Sequence, residues 1–146
     1  MGEPQSEHLV ARTLRRAVLA VLLFGSIGTL SELLLIGHYD DVWQYAPLIL
    51  LAGVIVVTAM YLWRPTDPLR RAVAAVMWLC IAAGLAGNWL HYRGNAEFEL
   101  EMVPDRAGFE LVRESLTGAT PVLAPGTMTV IGLFGLIAAW RPQRRR

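Results

Sequence analysis

An all-α membrane protein is predicted: a four-transmembrane-helix, up-and-down bundle with a small extracytoplasmic α/β cap in the loop between helices 3 and 4. The first reason is four apolar runs, at 17–37, 45–63, 72–90 and 121–140. They hold 21, 19, 19 and 20 residues; a hydrocarbon core of about 30 Å needs about 20 helical residues. The second is their purity, because Glu32 is the single acid or base inside any of them. The third is bulk composition. Of 146 residues, 55% are hydrophobic and 17% charged, more apolar surface than a chain of this size buries within itself. In a bilayer each run satisfies its own backbone as a helix. The spans and cap form one domain, 1–146.

Charge sets the expected orientation. All 13 basic residues are arginines. Ten flank one side: Arg12, Arg15 and Arg16; Arg64, Arg70 and Arg71; and Arg141, Arg144, Arg145 and Arg146. The other side holds Arg93, Arg106 and Arg113 with eight of the acids, Asp40, Asp41, Glu97, Glu99, Glu101, Asp105, Glu110 and Glu114. The positive-inside rule then puts both termini in the cytoplasm of a bacterial inner-membrane protein. Trp43, Tyr45, Trp89 and Tyr92 suit the outer interface, and Tyr61, Trp63 and Trp140 the inner one.

The elements follow in order. The first run succeeds an arginine-rich tail but is too long for a signal-peptide core, so it reads as a retained span. Gly25, Gly28, Thr29 and Glu32 fall on one helical face, and this small-residue stripe is expected to turn inward. The short links 38–44 and 64–71 make the first three spans antiparallel neighbours. Cys80, Gly84, Gly87 and His91 form a comparable stripe on the third span, and Gly132 with Gly135 on the fourth. The link 91–120 is the cap. Residues 97–102 alternate Glu-Phe-Glu-Leu-Glu-Met, which predicts a strand. Residues 108–116 carry Phe109, Val112 and Leu116 at helical spacing, with that apolar face expected against the bundle or the bilayer. Two prolines and a glycine make the fourth run's entry irregular, so its continuous helix is expected from Pro125.

Few residues carry chemistry. A carboxyl inside a span costs about 2.5–3.5 kcal/mol on insertion scales and by default faces the bundle interior. Glu32, Asn88 and Thr127 match in depth and are expected to converge on an outward-facing pocket for a proton or ion. His38 and His91 sit at the outer boundary, where Glu97 and Glu99 would complete a site for a divalent metal. The same two histidines would suit haem less well. No nucleophilic triad, phosphate loop or Cys pair appears, and catalysis is not indicated. Nucleic-acid binding is not expected.

The reading that follows is a non-enzymatic accessory or scaffold protein. Its partners are the lipid bilayer and a membrane or periplasmic protein met by the outer cap, with a homo-oligomer also compatible. A metal- or proton-handling protein and a haem- or quinone-linked redox subunit are the alternatives.

Overall fold

The computed structural model describes residues 3–140 and contains helices and turns only, with no strand among them. The helices are α1 (Glu3–Leu35), α2 (Tyr45–Trp63), α3 (Asp67–Met102), α4 (Gly108–Leu116) and α5 (Gly126–Ala139). A 3-10 turn, Val42–Gln44, precedes α2. Among the described residues, three segments are long and apolar enough to cross a membrane: Leu9–Leu35, Val42–Trp63 and Asp67–Met102. The bounds of α2 coincide with the predicted 45–63. Most of each spanning segment is unburied within the molecule; side chains such as Phe24, Trp78 and Ile137 are exposed, as a lipid-covered surface requires.

Two expectations are corrected. The cap has no β component, since 97–102 is the last part of α3. Glu, Leu and Met are strong helix formers, nothing between Ala72 and Met102 breaks the helix, and an isolated strand would leave its ladder unpaired. Six alternating residues are outweighed by that continuity. The fourth run, expected as a span over 121–140, is helical only over 14 residues, about 21 Å at 1.5 Å per residue. Its first part is a series of i to i+3 turns: Ala124 N to Pro121 O at 3.2 Å, Gly126 N to Leu123 O at 2.9 Å and Thr127 N to Ala124 O at 3.1 Å. Proline without an N–H keeps this segment out of regular helix, and α5 starts after Pro125, where the sequence placed it.

α1 packs on α2 and α5, and α3 packs on α2 and α5. The core holds Leu19 and Leu22, Leu51, Val54 and Tyr61, Val73, Met77 and Cys80, and Met128 and Ile131. The seam between α3 and α5 is made of glycines. A Cβ on Gly84 would meet Thr129 N at 2.7 Å and Pro125 O at 2.9 Å; one on Gly132 would meet the Met77 carbonyl at 2.6 Å. Small residues thus let the two backbones touch, as predicted for both stripes. The stripe on α1 behaves differently. Gly25, Gly28 and Glu32 are exposed, and nothing lies within 4 Å of a Cβ on either glycine. The buried face of α1 is instead Leu19, Leu22 and Ser26. Leu19 and Leu22 join the same buried cluster as Leu51, Val54 and Tyr61 of α2, so on this face of α1 large side chains do the packing.

Arginines finish the arginine-rich end. α5 stops with free carbonyls, and two guanidinium groups reach them: Arg15 Nη2 donates to Trp140 O at 2.9 Å and Arg70 Nη1 to Ala139 O at 3.5 Å. Cations there also suit the negative end of the helix dipole. The cluster Arg141, Arg144, Arg145 and Arg146 lies outside the described residues.

Candidate functional site at the acidic end

At the acidic end the chain converges from three places. α1 closes with a Schellman turn: Gly37 N donates to Leu34 O and His38 N to Leu33 O, at 3.2 and 2.9 Å. Gly37 takes φ +69°, a left-handed conformation that glycine adopts without Cβ strain. This turn delivers His38. α3 delivers His91, whose Nδ1 lies 3.0 Å from the Pro121 carbonyl and donates its proton there. Loss of water around His38 lowers its pKa, the nearby His91 lowers it further, and Asp40 partly opposes both. His38 thus lies within electrostatic range of His91.

The carboxylates expected beside them are engaged elsewhere. Glu97 pairs with Arg93 one turn back, Nε to Oε1 at 2.7 Å. Glu99 pairs with Arg106, and Arg106 also faces Glu110 at 3.6 Å. Asp41 caps the 3-10 turn by accepting from Trp43 N at 3.4 Å. Among the described residues no group of three or more His, Cys, Asp or Glu is placed to hold a metal ion.

Of the three residues predicted to converge on a polar pocket, Asn88 is half-buried. Asn88 lies against Gly126 at the start of α5, 3.7 Å from a Cβ built there. Its Oδ1 and Thr129 Oγ1 are buried without a hydrogen bond. Thr127 and Glu32 are exposed, and the Glu32 carboxyl group has no hydrogen-bond or ion-pair partner among the described residues. A carboxyl on the exposed face of α1, one turn from its end, is placed to reach the interface instead of the bundle.

Beyond His91, α3 and α4 form an antiparallel helical hairpin, and its organiser is Asn95. Asn95 is 4% exposed. Its Nδ2 donates to Ser115 O at 2.8 Å and Thr120 O at 2.7 Å, while its Oδ1 accepts from Thr120 N at 3.1 Å. Gly118 packs flat on this amide, 2.7 Å from a built Cβ to Asn95 Cγ. Ser115 is fully buried towards α3. The face Phe109, Val112 and Leu116 consequently turns outward, and Phe109 is 83% exposed. Of the two surfaces expected for this face, the bundle is excluded and the bilayer is not. Sequence reasoning also missed Asn95, since one asparagine in a polar link carries no periodic signal.

Heights along α3 follow from the helical rise. Arg70 meets Ala139 and His91 meets Pro121, so the segment 121–139 runs beside about 31 Å of α3 at 1.5 Å per residue. Glu99 lies about 12 Å and Met102 about 16 Å beyond His91 on the same scale. Phe98, Met102, Val103 and Phe109 are exposed around that tip. Glu101 and Asp105 are exposed beside them and have no ion-pair partner among the described residues. The boundary below is marked by Trp89 and Tyr92, with ring centroids 6.0 Å apart.

No family model matches the chain, and no curated protein or solved structure matches it either.

Proposed function

We propose that this chain is a four-span inner-membrane protein, termini cytoplasmic, that acts as a non-enzymatic accessory or scaffold and docks a partner protein on its α3–α4 hairpin. The fourth crossing is supported by the match of 121–139 to about 31 Å of α3, which is the thickness of a hydrocarbon core. The orientation is supported by the arginine count on the two sides.

The observation that carries the docking reading is the hairpin tip. It exposes Phe98, Met102, Val103 and Phe109, and Phe98 and Met102 lie about 10–16 Å beyond His91 along α3. Lipid does not reach that far, and water is a poor covering for exposed large apolar groups. Unpaired Glu101 and Asp105 at the rim favour a partner surface that is apolar at its centre and basic at its edge. A photo-crosslinking residue at position 109, compared with one at 34 on the exposed face of α1, tests it in cells. A discrete protein adduct is expected at 109 and lipid adducts at 34, with the first lost in Met102→Glu. Only lipid adducts at both positions would refute docking.

A second reading is favoured by the charge coupling of His38 to His91: a pair of histidines at the acidic end that responds to protons or a divalent metal. Neutral His38 contributes stability that is fully present above its unfolded value of about 6.5 and lost as pH falls through its lower folded value. Thermal unfolding followed from pH 7.5 to 5 is expected to lose a midpoint shift in His38→Gln. Zinc is expected to raise the midpoint at pH 7.5 in the parent and not in His38→Gln or His91→Gln. Equal zinc response in all three would remove the metal part.

A further inference from the structure

The arginine end holds a cleft of about 280 Å³ between α1 and α2. Arg12, Arg15 and Arg16 line one wall, and Leu19, Tyr61, Leu62 and Pro65 line the rest. The three arginines stand at i, i+3 and i+4 and so share a face of α1. They are not equivalent. Arg15 is half-buried and already bonded to the Trp140 carbonyl. Arg12 and Arg16 are exposed and have no acid, carbonyl or ring partner among the described residues. Two neighbouring guanidinium groups with no counter-charge repel each other, and an anion between them relieves this.

The remainder of the cleft is apolar. Leu19 is 1% and Tyr61 3% exposed, and the Tyr61 hydroxyl has no partner among the described residues, so it adds a polar group to an otherwise apolar floor. The level is also informative. The first apolar run begins at Ala17 and the second ends at Trp63, so the cleft sits where hydrocarbon gives way to headgroups. Trp63, with Arg64 stacked 4.8 Å over its ring, marks the same boundary on α2.

We propose that this cleft is a phosphate-binding site. Arg12 and Arg16 would take the phosphate through their planar forks, which match its oxygens better than an ammonium does. The apolar lining beneath would take what is attached to it. A membrane phospholipid with net negative charge supplies both parts at this depth; free phosphate supplies only the first. Arginines that merely orient the chain need neither a cleft nor an apolar floor. The proposal requires the membrane but not the docking hairpin.

The test uses the full chain in nanodiscs of phosphatidylcholine containing one-tenth phosphatidylglycerol, with lipid retained on the released protein counted by native mass spectrometry. One phosphatidylglycerol is expected to be retained in preference to phosphatidylcholine. Retention is expected to fall at least tenfold in Arg12→Gln/Arg16→Gln. It is expected to fall three- to fivefold in Arg12→Lys/Arg16→Lys, which keeps the charge and loses the forks. Arg64→Gln/Arg71→Gln removes the same charge at the same end outside the cleft, and a change below twofold is expected. In zwitterionic micelles, inorganic phosphate that competes at low millimolar concentration would assign the site to phosphate itself, and no competition would assign it to the lipid. Equal losses in both glutamine variants, or no preference for phosphatidylglycerol, would overturn the proposal.

Discussion

Asn95→Ala is expected to detach the α4 hairpin while leaving the helices below it packed. The substitution deletes three hydrogen bonds, to Ser115 O, Thr120 O and Thr120 N. It also strands backbone groups of which the Ser115 end is buried. A buried carbonyl without a partner costs about 1–3 kcal/mol, beyond the net value of the bonds themselves. A local loss of about 2–4 kcal/mol follows, equivalent to a roughly 30- to 1000-fold rise in opening. Amide hydrogen exchange should accelerate by that order over 108–120 and stay unchanged over 45–63. Asn95→Asp is expected to do no better. It keeps the acceptor for Thr120 N but turns a carboxylate towards two carbonyls. Unchanged exchange on α4 in Asn95→Ala would mean that the ion pairs of Arg106 hold the hairpin by themselves.

The second large effect is expected at the α3–α5 seam. In Gly84→Ala the new methyl meets Thr129 Oγ1, then Thr129 N at 2.7 Å and Pro125 O at 2.9 Å. Backbone atoms do not swing aside, so the helices must part and loosen the contacts of Met77 and Ile131 behind them. Overpacking of this kind costs about 1–3 kcal/mol. Gly135→Ala is expected to cost less, because the group it meets is the flexible end of Met77. Gly28→Ala is expected to be neutral or stabilising by up to about 1 kcal/mol, since its methyl meets nothing within 4 Å and helical glycine is entropically unfavourable. Unfolding in mixed micelles against rising dodecyl sulfate ranks the three. A ranking with Gly28→Ala as damaging as Gly84→Ala would show that the seam is not where stability lies.

The sequence already contained the membrane class, the bounds of α2, the glycine seam of α3 and α5 and the irregular entry to α5. Each rests on local chemistry: unbroken apolar runs, small residues at helical spacing, and prolines and glycines. The errors share a different cause. Residues 97–102 alternate, yet alternation over six helix-forming residues says little when a helix arrives at them unbroken. The stripe Gly25, Gly28 and Glu32 has the same spacing as the stripe on α3, yet it turns outward. Stripes identify a face and do not say what that face meets.

What the chain alone determined is which segments seek lipid, because transfer free energy accumulates residue by residue along a run. What only the tertiary structure decided is pairing. It set which side of α1 meets α2, which carboxylates Arg93 and Arg106 remove from a metal site, which carbonyls need Asn95, Arg15 and Arg70, and which arginines are left over. These outcomes depend on contacts between residues distant in sequence, where fit and hydrogen-bond satisfaction are properties of the pair, and neither partner's local pattern encodes them.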